Sequence, residues 1–163
     1  MPVEVHSSAS VSPLADIEDS IHNTRIVIGA GSRVDSFVKV KPAGGRGDVI
    51  IGDHVTINSG CVIYTGNGVT IGNDVAIAAN CTFAPVNHEF RDRNKTIREQ
   101  RFQASRGGII VEDDVWIGAG CVLLDGARVR KGAVVGSMTI VRGEVESYSI
   151  VAGNPMQVIG RRT

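Results

Sequence analysis

The side chain best suited to chemistry is His88, in the stretch "FAPVNHEFRDRN" of residues 83–94. Imidazole has an unperturbed pKa of about 6.5, so it can take up and release a proton near neutral pH. Glu89 follows directly and could orient the ring, although neighbours in a loop often point apart. The remaining histidines are expected at the surface: His6, His22 and His54. His88 is therefore the candidate general base.

Branched aliphatic residues recur every six positions on both sides of that stretch. The clearest run is Val111, Ile117, Leu123, Val129, Val135 and Val141, each followed four places later by a small or branched residue, the last of which is Val145. The same period holds, in shifted registers, over 5–17, 28–40, 51–63 and 71–83. Neither a helix nor a plain alternating strand has this period, whereas short strands joined by tight corners do. The repeat predicts a parallel β-solenoid, in which each unit buries its inward pair against the next.

Composition limits the alternatives. Hydrophobic residues make up 42% of the 163 residues but aromatic residues only 4%, and glycine is abundant, as expected for a core of small and β-branched side chains. The length predicts one domain, 1–163. Zero formal net charge gives no reason to expect a nucleic acid or an anionic membrane as partner. Because no apolar run approaches the roughly 20 residues of a membrane span, and no secretion signal opens the chain, a cytoplasmic protein is expected.

The three cysteines are expected to be structural. Cys61, Cys81 and Cys121 cannot all pair within one chain, and none belongs to a CxxC motif. Each occupies the inward small-residue position of its repeat. Free cysteine behaves as a small buried hydrophobe, so core packing is predicted for all three.

Three segments interrupt the repeat. Residues 41–48 and 64–70 are slightly too long, and 28 positions separate Phe83 from Val111, where the period requires 6. The largest interruption predicts an extruded loop at about 87–108, which contains His88, and a short C-terminal segment at about 153–163 completes the chain. Long loops on rigid scaffolds often carry function.

The combination of "NHEFR", "DDVWIG" and "VAGNPMQVIGRR" with the six-residue repeat resembles the hexapeptide-repeat acetyltransferases, in particular the galactoside, maltose and polysaccharide O-acetyltransferases. This resemblance implies an all-β left-handed parallel β-helix with three repeats per coil. It also implies a homotrimer with acyl-CoA in the groove between neighbouring prisms. Met156 replaces an alanine that is common in the closing motif, and "VEDDV" and "VRKGA" lack the usual Ile-Gly pair. These departures argue against transferring the substrate of any one relative.

The resemblance further implies direct acetyl transfer from acetyl-CoA to a sugar hydroxyl, with His88 as the base and no covalent enzyme intermediate. An amino-sugar nitrogen is the alternative acceptor. The substrate-binding residues would be Asn58, Trp116 and Glu89. The pantetheine arm would lie along Gly118, Ala119, Gly136 and Ser137, and its phosphates would meet Arg142, Arg161 and Arg162. Tyr64 and Thr65 replace an acidic acceptor contact of the relatives, so the acceptor pocket differs.

The loop is also rich in arginine. Its guanidinium groups, on Arg91, Arg93, Arg98, Arg101 and Arg106, suit an anionic acceptor such as a nucleotide-linked sugar, or they are simply solvated.

Two other classes share the solenoid. The zinc-dependent γ-class carbonic anhydrases need three histidines, but only His54 and His88 are even loosely suitably spaced here, so no metal is expected. A non-catalytic scaffold is the structural alternative. Scaffolds repeat their outward residues, whereas this chain concentrates its irregularity in one histidine-bearing loop and one outward tryptophan.

Overall fold

The computed structural model describes residues 3–20 and 22–163. Within them, 21 short strands form three sheets, and one four-residue helix lies outside the sheets. All neighbouring strands pair parallel except the final strand of the chain, which pairs antiparallel. Because consecutive strands belong to different sheets, the chain winds around a three-sided prism. The prediction of a parallel β-solenoid with three repeats per coil is confirmed.

Except for the final strand, every third strand of the chain joins the same sheet. Sheet A contains β1 (Val3–Val5), β4 (Ile26–Ile28), β7 (Val49–Ile51), β10 (Val69–Ile71), β13 (Ile109–Val111), β16 (Arg128–Val129) and β19 (Glu144–Val145). Sheet B contains β2 (Ser10–Val11), β5 (Arg33–Val34), β8 (Thr56–Ile57), β11 (Ala76–Ile77), β14 (Trp116–Ile117), β17 (Val134–Val135), β20 (Ser149–Ala152) and β21 (Gln157–Arg161). Sheet C contains β3 (Asp16–Ile17), β6 (Lys39–Lys41), β9 (Val62–Tyr64), β12 (Thr82–Ala84), β15 (Val122–Leu124) and β18 (Ile140–Val141). The helix, α1, spans Ile97–Gln100.

The six-residue period follows from this geometry. Each repeat is a strand followed by a corner, and identical positions of successive coils pair directly. Ile51, for example, pairs with Ile28 on one side and Ile71 on the other. The lead aliphatic residues therefore stack in columns inside the prism, where Ile57, Ile77 and Ile117 are fully buried. Each coil can bury its apolar side chains only against its neighbours.

The cysteines lie in one such column, on the inward side of the corners between sheets B and C. Cys61, Cys81 and Cys121 are free and 0% exposed. Their Sγ atoms donate to main-chain carbonyl oxygens of the adjacent coil at 3.1 to 3.2 Å. The prediction of core packing is confirmed.

One assignment within the repeat was wrong. The six-residue count places Val145 in a small-residue slot, but in the structure Val145 pairs with Val129 and occupies a lead position. The corner before β19 contains only residues 142–143, so the coil closes early. The next small-residue slot, four places after Val145, is filled by Ser149, which is fully buried and donates through Oγ to the Glu146 carbonyl at 2.6 Å.

All the interruptions fall on one edge of the prism. Corners between sheets B and C contain four residues throughout, as in 58–61 and 118–121. Corners between sheets C and A vary from residues 142–143 to the long loop 85–108. We call the C–A edge the loop edge, and the B–C edge, which carries Gly118 and Gly136, the glycine edge. Counting the repeats in threes would have revealed this arrangement from the sequence.

The chain ends with a hairpin on sheet B. After β20 it reverses, and β21 pairs antiparallel with β20, placing Arg161 opposite Ser149. Among the described residues, none of the helical segments has the length and apolar character required to cross a bilayer.

Candidate active site

The loop 85–108 is held in shape by its own hydrogen bonds. A capping box opens α1, since the Glu99 amide donates to Thr96 Oγ1 at 3.3 Å and the Thr96 amide donates to Glu99 Oε2 at 2.8 Å. The Gln100 side chain bridges the loop, accepting from the Asp92 amide at 2.9 Å and donating to the Asp92 carbonyl at 3.0 Å. The segment that carries His88 is therefore folded back on itself.

His88 lies exposed on this loop and pairs with Phe102 in an isolated antiparallel bridge. Its Nδ1 is 3.1 Å from the Arg101 carbonyl oxygen, and its ring centroid is 4.7 Å from that of Phe102. A carbonyl oxygen can only accept a hydrogen bond, so this contact assigns the proton to Nδ1. The other nitrogen, Nε2, then keeps its lone pair and can act as a base.

The carbonyl that orients the ring belongs to a residue with unusual main-chain angles. Arg101 has φ 64° and ψ −127°, a conformation that favours glycine, as at the second residue of a type II′ turn. The same carbonyl also accepts from the Glu89 amide at 3.0 Å. Arg101 therefore contributes to the site through its main chain.

Glu89 does not orient the ring, contrary to the interpretation from sequence. Its Oε1 accepts from Arg91 Nε at 2.9 Å and from the amides of Phe90 and Arg91. The side-chain hydrogen bond with Arg91, followed by the bond with the Arg91 amide, lowers the pKa of Glu89 to about 2. Adjacent residues of a loop point apart here, and the ring takes the nearest carbonyl instead.

Asp125, which the sequence analysis missed, binds the C-terminal end of the loop, residues 106–108, to the prism. Its carboxylate is 2% exposed. Oδ1 accepts from the Gly108 amide at 2.8 Å, while Oδ2 accepts from the Arg106 amide at 2.8 Å and Asn67 Nδ2 at 3.1 Å. Three donors offset the desolvation of this buried charge. The only signal in the sequence is a charged residue in a corner that otherwise follows the six-residue beat.

A second support acts through Phe102. The corner 42–48 lies against this ring so closely that a Cβ built on Gly44 would be 2.6 Å from Phe102 Cζ. Gly44 also has φ +55°, in the left-handed region. Gly44 thus supports Phe102, which in turn stacks on His88. An interruption of the repeat in one corner supports the loop that emerges from another.

The residues predicted to bind the acceptor and the pantetheine arm lie on the glycine edge or on sheet B beside it. Trp116 points outward, as predicted, and is 56% exposed between the buried Val115 and Ile117. Gly118 and Ser137 touch across adjacent coils, since a Cβ on Gly118 would lie 2.6 Å from the Ser137 nitrogen. Ala119 is exposed beside them. This edge therefore presents a narrow path of small residues next to an indole.

Asn58 and Gly136 occupy the same corner position as Gly118 in other coils. The Asn58 side chain already donates through Nδ2 to the Ile77 carbonyl at 2.8 Å, so its amide NH₂ is used within the solenoid. The corresponding backbone amide bonds run from Asn58 to Ile77 and from Gly118 to Val135. The alignment of these positions in one column is a property of the repeat.

The three arginines predicted to meet the cofactor phosphates lie in different parts of the prism. Arg142 lies on the loop edge, beside the loop that carries His88. Arg161 lies on β21 beside sheet B and pairs with Glu146 at 2.6 Å. Arg162 pairs with Asp114 at 2.9 Å and lies over the Tyr148 ring at 5.8 Å. Within one chain these three do not form a common phosphate site.

Sheet C separates His88 from the glycine edge. One repeat per face, at about 3.3 Å per residue, makes each face roughly 15–20 Å wide. In the part of the chain that the structure describes, no hydrogen bond joins the loop to residues 116–121 or 135–138. One chain therefore presents two half-sites: an imidazole on one edge and a path of small residues on another.

A cavity of about 220 Å³ lies beside the His88 segment, between the loop and the last coils. Its lining consists of Asn87, Phe90, Gln103, Arg106, Leu124, Asp125 and Arg142. The other histidines lie apart from it on the surface, His54 within 3.6 Å of Asp74. Among the described residues, no three His, Cys, Asp or Glu side chains are grouped so that they could hold a metal ion.

Comparison with known proteins agrees with this architecture. A family model for the hexapeptide repeat of succinyl-transferase matches residues 48–82 and 108–138. The chain is 29% identical over 136 residues to a putative lipopolysaccharide biosynthesis O-acetyl transferase, WbbJ, of Escherichia coli K12, covering 80% of this chain and 66% of that one. It is 32% identical over 117 residues to a probable acetyltransferase, Rv3034c, of Mycobacterium tuberculosis, covering 72% of this chain and 38% of that one. The chain thus matches only part of these relatives.

Solved structures share the fold. AntD, an N-acyltransferase from Bacillus cereus in complex with dTDP and 3-hydroxybutyryl-CoA, superposes with a TM-score of 0.82 at 20% identity, covering 99% of this chain and 83% of that one. The hexapeptide-repeat containing acetyltransferase VCA0836 from Vibrio cholerae superposes with a TM-score of 0.59 at 22% identity, covering 98% and 73%. The predicted left-handed parallel β-helix is confirmed. In its repeat, its fold and its relatives, the chain is similar to the hexapeptide-repeat acetyltransferases.

Proposed function

We propose that this protein transfers an acetyl group from acetyl-CoA to a hydroxyl of a sugar, a nucleotide-linked sugar or a polysaccharide precursor. The observation that carries the proposal is His88, whose Nδ1 faces the Arg101 carbonyl at 3.1 Å and whose Nε2 is left as a base. The named activity of the E. coli relative, O-acetyl transfer in lipopolysaccharide biosynthesis, supports a sugar acceptor. Residues 1–163 act as one domain in this proposal.

The chemistry requires one proton to move twice. His88 Nε2 accepts the proton of the attacking hydroxyl as its oxygen bonds to the thioester carbonyl carbon. The carbon–sulfur bond then breaks, and the departing thiolate takes that proton from His88. The other proton stays on Nδ1, hydrogen-bonded to the Arg101 carbonyl throughout, and this bond stabilises the imidazolium between the two transfers. No acyl group is attached to the protein.

The two half-sites imply an assembly. Asn58, Trp116, Ala119 and Ser137 would receive the acceptor and the pantetheine arm, but they lie a face away from His88. A neighbouring chain that places its glycine edge against the loop edge would complete the site. Repetition of that head-to-tail contact closes a ring, and three copies match the three-sided prism, so a homotrimer is proposed.

Transfer to an amino-sugar nitrogen is the second candidate. It is favoured by the fold shared with AntD, solved in one variant with dTDP-4-amino-4,6-dideoxyglucose and coenzyme A at a TM-score of 0.82. The same base and the same groove would serve both acceptors, because an amine also loses a proton as the carbon–nitrogen bond forms.

The test is a product analysis. The purified protein is incubated with acetyl-CoA and a panel of sugars, amino sugars and nucleotide-linked sugars, and products are identified by mass spectrometry. A product that alkali cleaves is an ester and supports O-acetylation, whereas an alkali-stable product is an amide. His88→Ala should lower turnover by about 10²- to 10⁴-fold and leave the affinity for acetyl-CoA essentially unchanged.

The proposal has a clear point of failure. A folded His88→Ala protein with the turnover of the wild type would exclude His88 as the base. If calorimetry detected no binding of acetyl-CoA to the wild-type protein, the non-catalytic scaffold would be the better description.

A further inference from the structure

The cavity beside His88 has a lining of polar side chains without internal partners. Among the described residues, the side chains of Asn87, Gln103, Arg106 and Arg142 make no hydrogen bond or ion pair. All four line the same space of about 220 Å³. Polar groups that converge on one cavity without satisfying one another are typical of a binding site.

Several other arginines of the loop and of the last coils are already paired, unlike these two. Arg91, Arg130 and Arg161 each pair with a glutamate. Arg128 donates its guanidinium hydrogens to main-chain carbonyl oxygens, including that of Gly108 at 2.8 Å. The guanidinium groups of Arg106 and Arg142 keep their full donor capacity, and both residues line the cavity.

The one carboxylate in the lining is already occupied. Both oxygens of Asp125 accept hydrogen bonds from the loop and from Asn67, and the group is 2% exposed. It therefore fixes the cavity wall and offers little to a ligand. Counting Arg106, Arg128, Arg142 and Asp125, the local formal charge is positive, and the free donors of the lining outnumber its free acceptors.

We propose that this cavity binds a phosphate or diphosphate group of a substrate. Guanidinium and amide groups donate to phosphate oxygens, and each of the two lining arginines can make a forked contact. The space is many times the about 10–15 Å³ that a single water needs, so it has room for a diphosphate. The exposed ring of Phe90 stands at the rim, where it can pack on an attached sugar or base.

The position ties the anion to the reaction. Asn87, which lines the cavity, immediately precedes His88, so the two Cα atoms are about 3.8 Å apart. A diphosphate held here would contact the residue next to the proposed base in the loop. The meaning of the site for catalysis rests on the proposed function, while the anion binding itself does not.

Two molecules could supply this chemistry: a nucleoside-diphosphate-linked acceptor, or coenzyme A through its own diphosphate. Calorimetry separates them, with uridine diphosphate and coenzyme A titrated individually. The variants are Arg106→Gln and Arg142→Gln. Arg98→Gln is the matched control, because Arg98 is an exposed arginine of the same loop that does not line the cavity.

Each arginine substitution should weaken binding of one diphosphate ligand by about tenfold or more, since a hydrogen bond to a charged group contributes about 1.5–3 kcal/mol. The Arg98→Gln protein should bind like the wild type. Weaker binding of uridine diphosphate alone assigns the site to the acceptor, and weaker binding of coenzyme A alone assigns it to the donor. Both results support a diphosphate site, as does a loss of both ligands.

The proposal is overturned if neither ligand's affinity differs between the cavity variants and Arg98→Gln, or if neither ligand binds at millimolar concentration. Both cavity arginines are exposed and unpaired, so their substitution should leave the melting temperature unchanged, which a thermal scan checks. A protein that binds a diphosphate through Arg106 and Arg142 yet transfers no acetyl group would contradict the proposed function and leave this inference standing.

Discussion

The Nδ1 of His88 lies 3.1 Å from the main-chain oxygen of Arg101, a residue whose own φ is 64°. The proposed base is therefore oriented by a peptide carbonyl, and that carbonyl is aimed by main-chain angles that disfavour a side chain with a Cβ. The loop supplies the partner that a neighbouring carboxylate would supply in other enzymes. The orientation of the His88 ring should therefore depend more on the main-chain preference of residue 101 than on side-chain charge.

Substitutions at Arg101 test this relationship. Arg101→Gly relieves the left-handed conformation and should stabilise the loop by about 1 kcal/mol with full activity, because the carbonyl is kept. Arg101→Val should lower kcat, since a β-branched residue resists this conformation. Steady-state kinetics and thermal melting measure both effects. If the glycine variant lost activity as the valine variant does, the guanidinium and not the carbonyl would be the important group.

Gly44 offers a test of support from outside the loop. In Gly44→Ala the new Cβ would meet Phe102 Cζ at 2.6 Å, and φ of +55° adds about 1 kcal/mol of strain. Phe102 must shift from His88, so kcat should fall severalfold while the KM for acetyl-CoA changes little. Gly143→Ala is the control on the same edge, because nothing lies within 4 Å of its added Cβ. Equal kinetics for the two variants would show that the Phe102 stack is dispensable.

Asp125→Asn should loosen the loop without unfolding the prism. Each oxygen of the Asp125 carboxylate accepts from one of the two loop amides, those of Arg106 and Gly108. Asparagine has an NH₂ in place of one oxygen, so at one of these amides a donor would face another donor. Hydrogen exchange at these two amides should accelerate by about tenfold or more, which corresponds to about 1.4 kcal/mol. Amides of β11 and β14 serve as the internal reference. Exchange unchanged at both loop amides would contradict the anchoring role.

Mixed assemblies test whether two chains form each site. Ala119→Glu places a bulky charge on the exposed path of the glycine edge and should abolish acetyl-CoA binding, while His88→Ala removes the base. Either variant alone should be nearly inactive. If the half-sites come from different chains, co-refolding equal amounts should restore about a quarter of wild-type activity, because a quarter of random interfaces combine two intact halves. No recovery would place both halves in one chain.

The buried thiols predict how stability depends on pH. A hydrogen bond with Cys121 lowers the pKa of Cys81, whereas a hydrogen bond with Cys61 and the burial of the thiol raise it. The resulting pKa of Cys81 is about 11. The bond with Cys81 and burial also raise the pKa of Cys121. A thiol whose pKa is higher in the folded state than in the unfolded state contributes to stability below its ordinary pKa near 9. This contribution is lost as the pH rises towards 11.

Urea denaturation at pH 8 and pH 10.5 should therefore show a fall in the free energy of unfolding. The control replaces all three cysteines with alanine, which fills the equivalent slot at Ala127 and Ala133. In that variant the fall should be smaller, although Cys61, whose pKa is lowered by its bond with Cys81, opposes part of the effect. The same fall in both proteins would mean that other groups dominate above pH 9.

The repeat made the fold predictable, because each column of the prism is a direct property of the sequence. The inward positions of Ile117 and Cys121 and the outward position of Trp116 follow from counting in sixes. Val145 shows where counting fails, since one short corner shifts the register and only pairing with Val129 reveals it. His88 could be singled out because it lies where the repeat stops.

The parts of the site that could not be predicted depend on contacts distant in sequence. The partner of the His88 ring is a carbonyl 13 residues away, and Asp125 acts on loop amides 17 and 19 residues away. No local pattern encodes such contacts. Glu89, adjacent in sequence, was the wrong partner because the loop turns its carboxylate to Arg91.

The loop leaves and rejoins the solenoid without disturbing it, since Phe83 pairs with Leu123 and Ile71 with Val111 in the register found in every other coil. A segment attached in this way can be lengthened, shortened or replaced while the stacked core on either side stays intact. Evolution can thus alter the loop independently of the folding of the prism. Protein engineers can do the same by grafting a different 85–108 segment onto this prism, provided that the Asp125 anchor is kept.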